Sequence, residues 1–527
     1  MPCLSGLQLD AGQHRIVIPP GRYRVMPHDR QHLVLQDLTD VQIVADGVEM
    51  ICTETTRALT VSHCTNMTVR GLVIDYDPLP FAQGRITGFD DGRKVALVEL
   101  FDGYPDANAA RNFKFEIFRS DTRTLRCSDR YVKAIEVVDA RHLRILMPDE
   151  WPDAPEQTGD LIVIGAEYAP HGNAAHAVVC EHDVRVRLEN IDLFAANCFG
   201  FLEVACVGNI YERCRIDRRA AADDLVSRAD PRLRSLDADA FHSTGASIGP
   251  AYLGCVARLM GDDCVNIHGD YDLVMGVQGQ MLRVLAKYQM NIQPGDSVEL
   301  TTYDGQRLPD ARVLRVVRDG TITAQERAYL GRQSMDAGFK AAQGGTLTQA
   351  YAVTLDRKVS LPMGSVICAA NRIGNGFAVR GCTFGFNRSR GILIKASHGQ
   401  VDHNLIEGAR MSAILVTPEY WWLEAGSSSE ATISGNTIRD RGGIPICVEA
   451  TGGNGAISPA GAHHDITITG NTITDCAAPG IVVTSTTGSR LAGNTLNLTG
   501  RNGDLPDILR QAGLTNAQPV VRIRCEP

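Results

Sequence analysis

The chain has 527 residues, of which 44% are hydrophobic and only 6% aromatic, and it contains 51 glycines and 15 cysteines. This apolar fraction excludes a disordered chain. The 52 Lys and Arg and 61 Asp and Glu give a net charge of −9 without a basic block, so neither nucleic acid nor a membrane surface is an expected partner.

The sequence contains no stretch of 18 apolar residues, so we expect no membrane-spanning helix. The first residues lack the basic and apolar regions of a signal peptide. The compartment is therefore left open: cytoplasmic, or periplasmic or secreted if a signal peptide was removed. The cysteines are scattered without a CxxC pair, which is not typical of a disulfide framework or a zinc ribbon. We expect no cofactor.

Residues 1–83 are predicted to form the first coils of a solenoid. The segment 66–75, Asn-Met-Thr-Val-Arg-Gly-Leu-Val-Ile-Asp, joins two short alternating strands through a small turn. The same pattern returns in residues 171–271, where the segment 184–192 is a further coil. We therefore expect one continuous solenoid that other segments interrupt.

Two segments, residues 84–170 and 272–366, interrupt this pattern with longer alternating strands. Both contain a similar sequence, Gln-Thr-Gly-Asp-Leu-Ile-Val-Ile at 157–164 and Gln-Pro-Gly-Asp-Ser-Val-Glu-Leu at 293–300. We predict two related antiparallel β modules, each resembling a small barrel, inserted between coils.

Residues 367–527 contain the clearest repeats. Gly-Asn-Thr-Ile or Gly-Asn-Thr-Leu occurs at 435–438, 470–473 and 493–496. An uninterrupted period of about 22–24 residues with two or three short strands predicts coils of a right-handed parallel β-helix. Since equivalent positions of successive coils lie about 4.8 Å apart, the repeated Asn and Cys are expected to stack in a ladder. The predicted fold class is all-β, a right-handed parallel β-helix with two inserted antiparallel β-barrel-like modules.

Acidic residues are concentrated in two neighbouring predicted coils, at 237–245 and 261–270. The separation of Asp239 and Asp262 equals one repeat, so we expect them at the same position of adjacent coils, with Asp263 beside them. Like charges this close raise the pKa of at least one carboxyl, which gives a protonated acid beside an ionised base. Glycoside hydrolysis requires that pair, although the spacing leaves retention or inversion open.

Two structural alternatives apply to these two coils. The acids can cap turns or bind a structural Ca²⁺, which takes oxygen ligands. His242, Cys264 and His268 can form a zinc site, but strand alternation sends Cys264 inward if Asp263 faces outward. We therefore predict catalytic acids and no metal site.

The pattern DxDxFH followed by GDDxxNxHG resembles that of glycoside hydrolase family 110, the exo-acting α-1,3-galactosidases. Three other segments resemble the same family: Val73 to Pro78 with Phe81 to Gly84, Arg388 to Leu393, and Tyr420 to Gly426. The resemblance covers nearly the whole chain. It implies a β-helix with two inserted barrels, an inverting mechanism and a catalytic triad of acids.

The resemblance places this triad at Asp239, Asp262 and Asp263. Asp262 is assigned as the general acid, and Asp239 with Asp263 as the pair that positions and deprotonates water. This division of roles is borrowed partly from the polygalacturonases, which have a similar D…DD arrangement on the same fold.

Further residues are predicted to bind the substrate, an oligosaccharide or glycoconjugate. They are His242, His268, Asn266, Arg390, Lys395, Trp422 and Glu424. The alternatives are a polygalacturonase-like enzyme, another β-helix polysaccharide hydrolase or lyase, and a non-catalytic glycan-binding module. A homodimer is compatible with the sequence.

Overall fold

The computed structural model describes residues 14–112, 114–147, 156–167, 174–340, 345–439, 442–502, 507–514 and 518–527. Within these ranges nearly all regular structure is β, and the α-helices are Ala324–Gly331 and Asp507–Gln511. No helix in the described residues is long and apolar enough to cross a membrane. The predicted parallel β-helix with two antiparallel inserts is confirmed.

Two faces of the solenoid form one twenty-stranded parallel sheet. Most coils contribute two short strands to it, joined through a tight turn. The strands are Arg15–Val17, Gly21–Val25, Gln42–Cys52, Thr68–Tyr76, Arg187–Glu189, Asp192–Leu193, Ile210–Glu212, Arg215–Ile216, Ala251–Leu253, Val256–Arg258, Ala378–Arg380, Thr383–Gly385, Gln400–Asp402, Leu405–Glu407, Thr432–Ser434, Thr437–Arg439, Thr467–Thr469, Thr472–Ala478, Arg490–Ala492 and Thr495–Asn502.

The third face, called the site sheet below, carries the predicted catalytic residues. Its parallel strands are Gln31–Gln36, Arg57–Ser62, Val178–Glu181, Phe201–Val204, Phe241–Thr244, Val265–Asp270, Ile392–Ile394, Ile414–Val416, Ile446–Val448, Ile481–Thr484 and Val520–Ile523. A short strand, Glu424–Ala425, pairs antiparallel with the end of Val265–Asp270. A separate parallel pair, His463–His464 with Thr486–Thr487, lies beside these faces.

The first insert is a seven-stranded antiparallel sheet. In chain order its strands are Phe81–Asp90, Val95–Leu100, Lys114–Phe118, Leu125–Tyr131, Ala134–Val137, His142–Leu146 and Leu161–Gly165. The two edge strands, Leu125–Tyr131 and Ala134–Val137, follow each other directly in the chain, so the sheet must curl to bring its edges near each other.

The second insert closes into a six-stranded antiparallel barrel. Its strands are Asp272–Gln278, Met281–Leu285, Ser297–Thr301, Arg307–Thr321, Gln349–Leu355 and Val366–Ala369. It leaves the solenoid directly after the strand Val265–Asp270 and returns before the next coil. Both inserts therefore flank the coils that carry the acids.

Apolar side chains fill the interior of the coils in stacked rows. In the site sheet, Val178, Phe201, Phe241, Val265 and Ile392 occupy one row, and all are buried. This regular stacking sets the register of each coil against its neighbours, since a one-residue slip would expose the whole row.

The predicted Asn ladder is present in the C-terminal coils. Asn404 donates through Nδ2 to Asn436 Oδ1 at 3.0 Å, Asn436 to Asn471 at 2.9 Å, and Asn471 to Asn494 at 2.9 Å. Each amide oxygen also accepts from the backbone N–H of the preceding coil's Asn, as in Asn404 N to Asn436 Oδ1 at 3.0 Å. The ladder satisfies polar groups at the turns, where the strand hydrogen bonds are interrupted.

Candidate active site

The register of the site sheet places Asp239 opposite Asp263. Phe241 pairs with Val265, two positions further along each coil, and Ala240 N donates to Asp263 O at 2.9 Å. The expectation that Asp239 and Asp262 occupy equivalent positions is therefore wrong by one residue. The inward packing of Phe241 on Val265 sets the register between these coils. The number of residues between two acids therefore does not by itself place them opposite each other.

Arg390 continues this row on the next coil. Its backbone N–H donates to Asp263 Oδ1 at 2.7 Å, and its Nε lies 3.3 Å from the same oxygen. Asp263 N in turn donates to Asp239 Oδ1 at 3.2 Å. Two carboxylates and a guanidinium thus stack along the solenoid axis on three successive coils.

The three predicted acids converge. One carboxylate oxygen from each of Asp239, Asp262 and Asp263 lies within 4.8 Å of the others. Asp239 and Asp263 are buried, whereas the side chain of Asp262 is 29% exposed. The cluster therefore combines two enclosed carboxyls with one that faces the open side.

Burial is the main cause of a pKa of Asp239 well above its usual range, and the charges of Asp262 and Glu424 raise it further. Burial also raises the pKa of Asp263, although the Arg390 guanidinium opposes this shift. Two interacting carboxyls of this kind titrate as a unit, so we infer that the pair retains a proton near neutral pH.

A hydrogen-bonded histidine chain indicates where that proton lies. Asp239 Oδ2 is 2.7 Å from His242 Nδ1, His242 Nε2 is 2.9 Å from His268 Nε2, and His268 Nδ1 is 2.7 Å from Gly269 O. Burial lowers the pKa of His242 to about 4 and that of His268 to about 3, so both rings are neutral at pH 7.

The Gly269 carbonyl can only accept, so the neutral ring of His268 donates to it through Nδ1. Its Nε2 then accepts from His242, and His242 Nδ1 is left as an acceptor facing Asp239. The proton in the remaining hydrogen bond must therefore belong to Asp239. The polarity of the chain agrees with the raised pKa of that carboxyl.

A network of buried ion pairs lies beside the histidines. Lys395 Nζ is 2.9 Å from Glu424 Oε2 and donates to Asn266 Oδ1 at 3.1 Å, and Asn266 Nδ2 donates to Glu424 at 3.2 Å. Although burial opposes it, the ammonium charges of Lys395 and Lys287 hold the pKa of Glu424 well below its usual range. Glu424 is therefore a carboxylate in the resting site.

Among the residues that the structure describes, two groups of side chains have spacings that suit a metal ion: the three acids, and His242 with His268 and Glu424. In the second group, the ring nitrogens bond to each other and Glu424 already binds an ammonium group. Cys264 lies in the coil interior with its Sγ 3.7 Å from Met260 Sδ, so the zinc set of His242, Cys264 and His268 does not assemble.

The first insert reaches the exposed acid. Asp262 Oδ2 is 2.7 Å from Arg388 Nη2 and 3.7 Å from Lys114 Nζ, which belongs to the insert strand Lys114–Phe118. Lys114 also donates to Asp237 O at 2.5 Å. The insert therefore places positive charge beside the cluster.

Six of the seven predicted substrate-binding residues lie around the acids: His242, His268, Asn266, Arg390, Lys395 and Glu424. Trp422 is on the surface with 42% exposure. Its neighbour Trp421 instead lines a cavity of about 540 Å³ that Arg390 and Glu419 also line. We call this volume the side cavity.

Sequence reasoning missed Lys114, Lys287 and Glu419. Lys287 Nζ pairs with Asp270 at 2.9 Å, and Glu419 lies 3.0 Å from Lys395 and 3.1 Å from Arg390. The two lysines lie in the inserts, where no coil period relates them to the acids. The usable signal for Glu419 was its position shortly before Glu424, in the same loop of the solenoid.

Comparisons with known proteins agree with this architecture. Residues 365–505 match the family model described as a right handed beta helix region. An α-1,3-galactosidase B of Phocaeicola vulgatus is 23% identical over 268 residues, 47% of this chain and 43% of its own length. An α-1,3-galactosidase A of Streptomyces avermitilis is 27% identical over 282 residues, 52% and 42% respectively.

An α-1,3-galactosidase B of Bacteroides fragilis is 21% identical over a longer match of 447 residues, 79% of this chain and 69% of its own length. In the first two comparisons, by contrast, the chain spans about two fifths of the relative's length, 43% and 42%. The matches extend the similarity beyond the repeats of the C-terminal coils.

Proposed function

We propose that this chain, which is related to the family 110 α-1,3-galactosidases, is an exo-acting inverting glycoside hydrolase. Its proposed substrate is a terminal α-1,3-linked galactose, or a related neutral sugar, on an oligosaccharide or glycoconjugate. The observation that carries the proposal is the cluster of three carboxyls on adjacent coils. Such a cluster supplies both a proton donor and a base.

In the proposed reaction, a water oxygen bonds to the anomeric carbon as the bond to the leaving oxygen breaks. The water proton passes to the pair Asp239 and Asp263, with Asp263 as the ionised member beside Arg390. Asp262, the carboxyl that faces the open side, takes up a proton from solvent when the substrate binds and passes it to the leaving oxygen. Its ion pair with Arg388 must loosen when the substrate binds.

Inversion rests on the family relationship. Inverting enzymes usually separate their two carboxyls by about 6.5–9.5 Å to leave room for water. The oxygens of this cluster lie closer, within 4.8 Å. Water would then approach from beside the buried pair rather than between two of the three acids.

The charges around the acids favour a neutral sugar over a uronate. Arg390, Lys395 and Lys287 each already bind a carboxylate, respectively on Asp263, Glu424 and Asp270. A uronate that used one of these three cations would have to displace its carboxylate partner, which is costly. This argues against the polygalacturonase-like alternative.

A substrate panel tests the function. Purified protein is incubated with aryl α- and β-glycosides, galactose-capped oligosaccharides and a uronan, with Asp262→Asn as the control that should be inactive on the oligosaccharides. We expect galactose release from α-linked substrates only, and a β-anomer as the first product by NMR. Cleavage of the uronan without release of any terminal neutral sugar would refute the proposal.

Leaving-group dependence and azide rescue test the roles. Asp262→Ala should retain activity on an aryl galactoside with a good leaving group and lose it on oligosaccharides. Azide should restore turnover with inversion to a base variant, Asp263→Ala. If Asp239→Ala instead shows the leaving-group dependence, then Asp239, which holds the proton in the resting site, is the donor.

A further inference from the structure

The side cavity lies on the site sheet beyond the acids. Leu415 and Glu449, which line it, belong to the second and third coils after that of Asp263. At about 4.8 Å per coil, these residues lie roughly 10 and 14 Å along the solenoid from the acids. The volume of about 540 Å³ is within the range that small-molecule sites occupy.

Arg390 forms the boundary between the acids and the side cavity. Its Nε faces Asp263 at 3.3 Å, while its Nη2 donates to Glu419 at 3.1 Å, and both Arg390 and Glu419 line the cavity. A ligand in the cavity is therefore separated from the reacting carboxyls by one side chain. The acids and the side cavity are therefore adjacent along the solenoid axis.

The walls combine an aromatic surface with polar groups. Trp421 is 47% exposed and offers an indole face, on which the apolar face of a sugar ring can pack. Glu449 is half-buried; desolvation raises its pKa, and the charge of Glu419 adds to this shift. Hydroxyl groups that donate to Glu449 and bond to Asn454 would compensate for that desolvation.

We propose that the side cavity binds the leaving-group saccharide, a neutral sugar that remains after the terminal residue is removed. This inference rests on the proposed exo-hydrolase function. None of the three acids lines the side cavity, so a sugar held there is not the terminal residue whose anomeric carbon reacts, and the leaving group is the part of the substrate that can occupy it. The cavity then determines which glycans are cleaved, with Trp421 as its principal contact.

The experiment compares Trp421→Ala with a matched control, Trp422→Ala. The two indoles are adjacent and similarly exposed, but Trp421 is the one that lines the cavity. For a galactose-capped trisaccharide, kcat/KM should fall roughly five- to tenfold in Trp421→Ala, mainly through KM. For an aryl α-galactoside, which lacks the second sugar, it should change less than twofold.

Equal losses on both substrates, or an equal effect of Trp422→Ala, would overturn the proposal. Titration calorimetry with the degalactosylated disaccharide provides a readout that does not depend on turnover. Wild-type protein and Trp422→Ala should bind it, and Trp421→Ala should bind at least fivefold more weakly. If no glycoside is turned over but this binding pattern holds, the hydrolase function fails and the sugar site stands; absence of disaccharide binding to wild-type protein refutes the site.

Discussion

Replacement of Lys395 distinguishes two roles for this residue: binding the substrate, and stabilising the folded site through ion pairs. Its fully buried ammonium lies 2.9 Å from Glu424 and 3.0 Å from Glu419, and it donates to Asn266. Lys395→Met keeps the length of the side chain but leaves Glu424 enclosed without its nearest cation. Removing one partner of a buried ion pair costs about 3–5 kcal/mol. Because Glu424 retains the charge of Lys287 nearby and the hydrogen bond from Asn266, we expect about 3 kcal/mol.

The assay is thermal unfolding followed by circular dichroism. At about 2.1 cal/mol/K per residue, a chain of 527 residues has an unfolding entropy of about 1.1 kcal/mol/K, so this loss lowers Tm by about 3 °C. The double variant Lys395→Met/Glu424→Gln removes the stranded charge as well and should recover at least half of the difference. Lys358→Met, at an exposed lysine, is the control.

The pH dependence has a defined sign. The pKa of Glu424 is depressed in the folded protein, so its stabilising contribution is present above the unfolded pKa of about 4.3 and is lost as the pH falls towards the folded pKa. The Tm difference between Lys395→Met and wild type should therefore be largest near pH 7 and shrink in acid. An unchanged Tm with a raised KM would contradict this reasoning and leave Lys395 as a substrate-binding residue.

Two further predictions address the histidine chain and the ladder. His242→Phe removes the acceptor of the Asp239 proton, so the pKa of Asp239, followed by NMR of its carboxyl carbon, should fall. An unchanged pKa would exclude the chain as the holder of that proton. Asn436→Ala removes the buried amide that bridges two coils and should destabilise the protein by about 2–4 kcal/mol in urea unfolding. Asn494→Ala, at the end of the ladder, should cost less, and equal effects would contradict a cooperative ladder.

The sequence alone was sufficient to predict the architecture. The regular repeat of the C-terminal segments defines a coil, because each coil is one supersecondary unit whose apolar face must be buried by its neighbours. The Asn ladder followed from the same period, and the two inserts followed from its interruption. The three acids were found because they concentrate negative charge in two neighbouring coils.

The tertiary structure decided how these parts meet. Packing of Phe241 on Val265 set the register, so Asp239 stacks on Asp263 instead of Asp262. Lys114 reached the acids through insert strands that share no period with the coils. The repeat determines distances along the solenoid because every coil adds the same rise. The register between coils depends instead on side-chain packing. The position of each insert depends on how the insert itself folds. For that reason the sequence located the acids, and only the folded chain determined which carboxyl holds the proton.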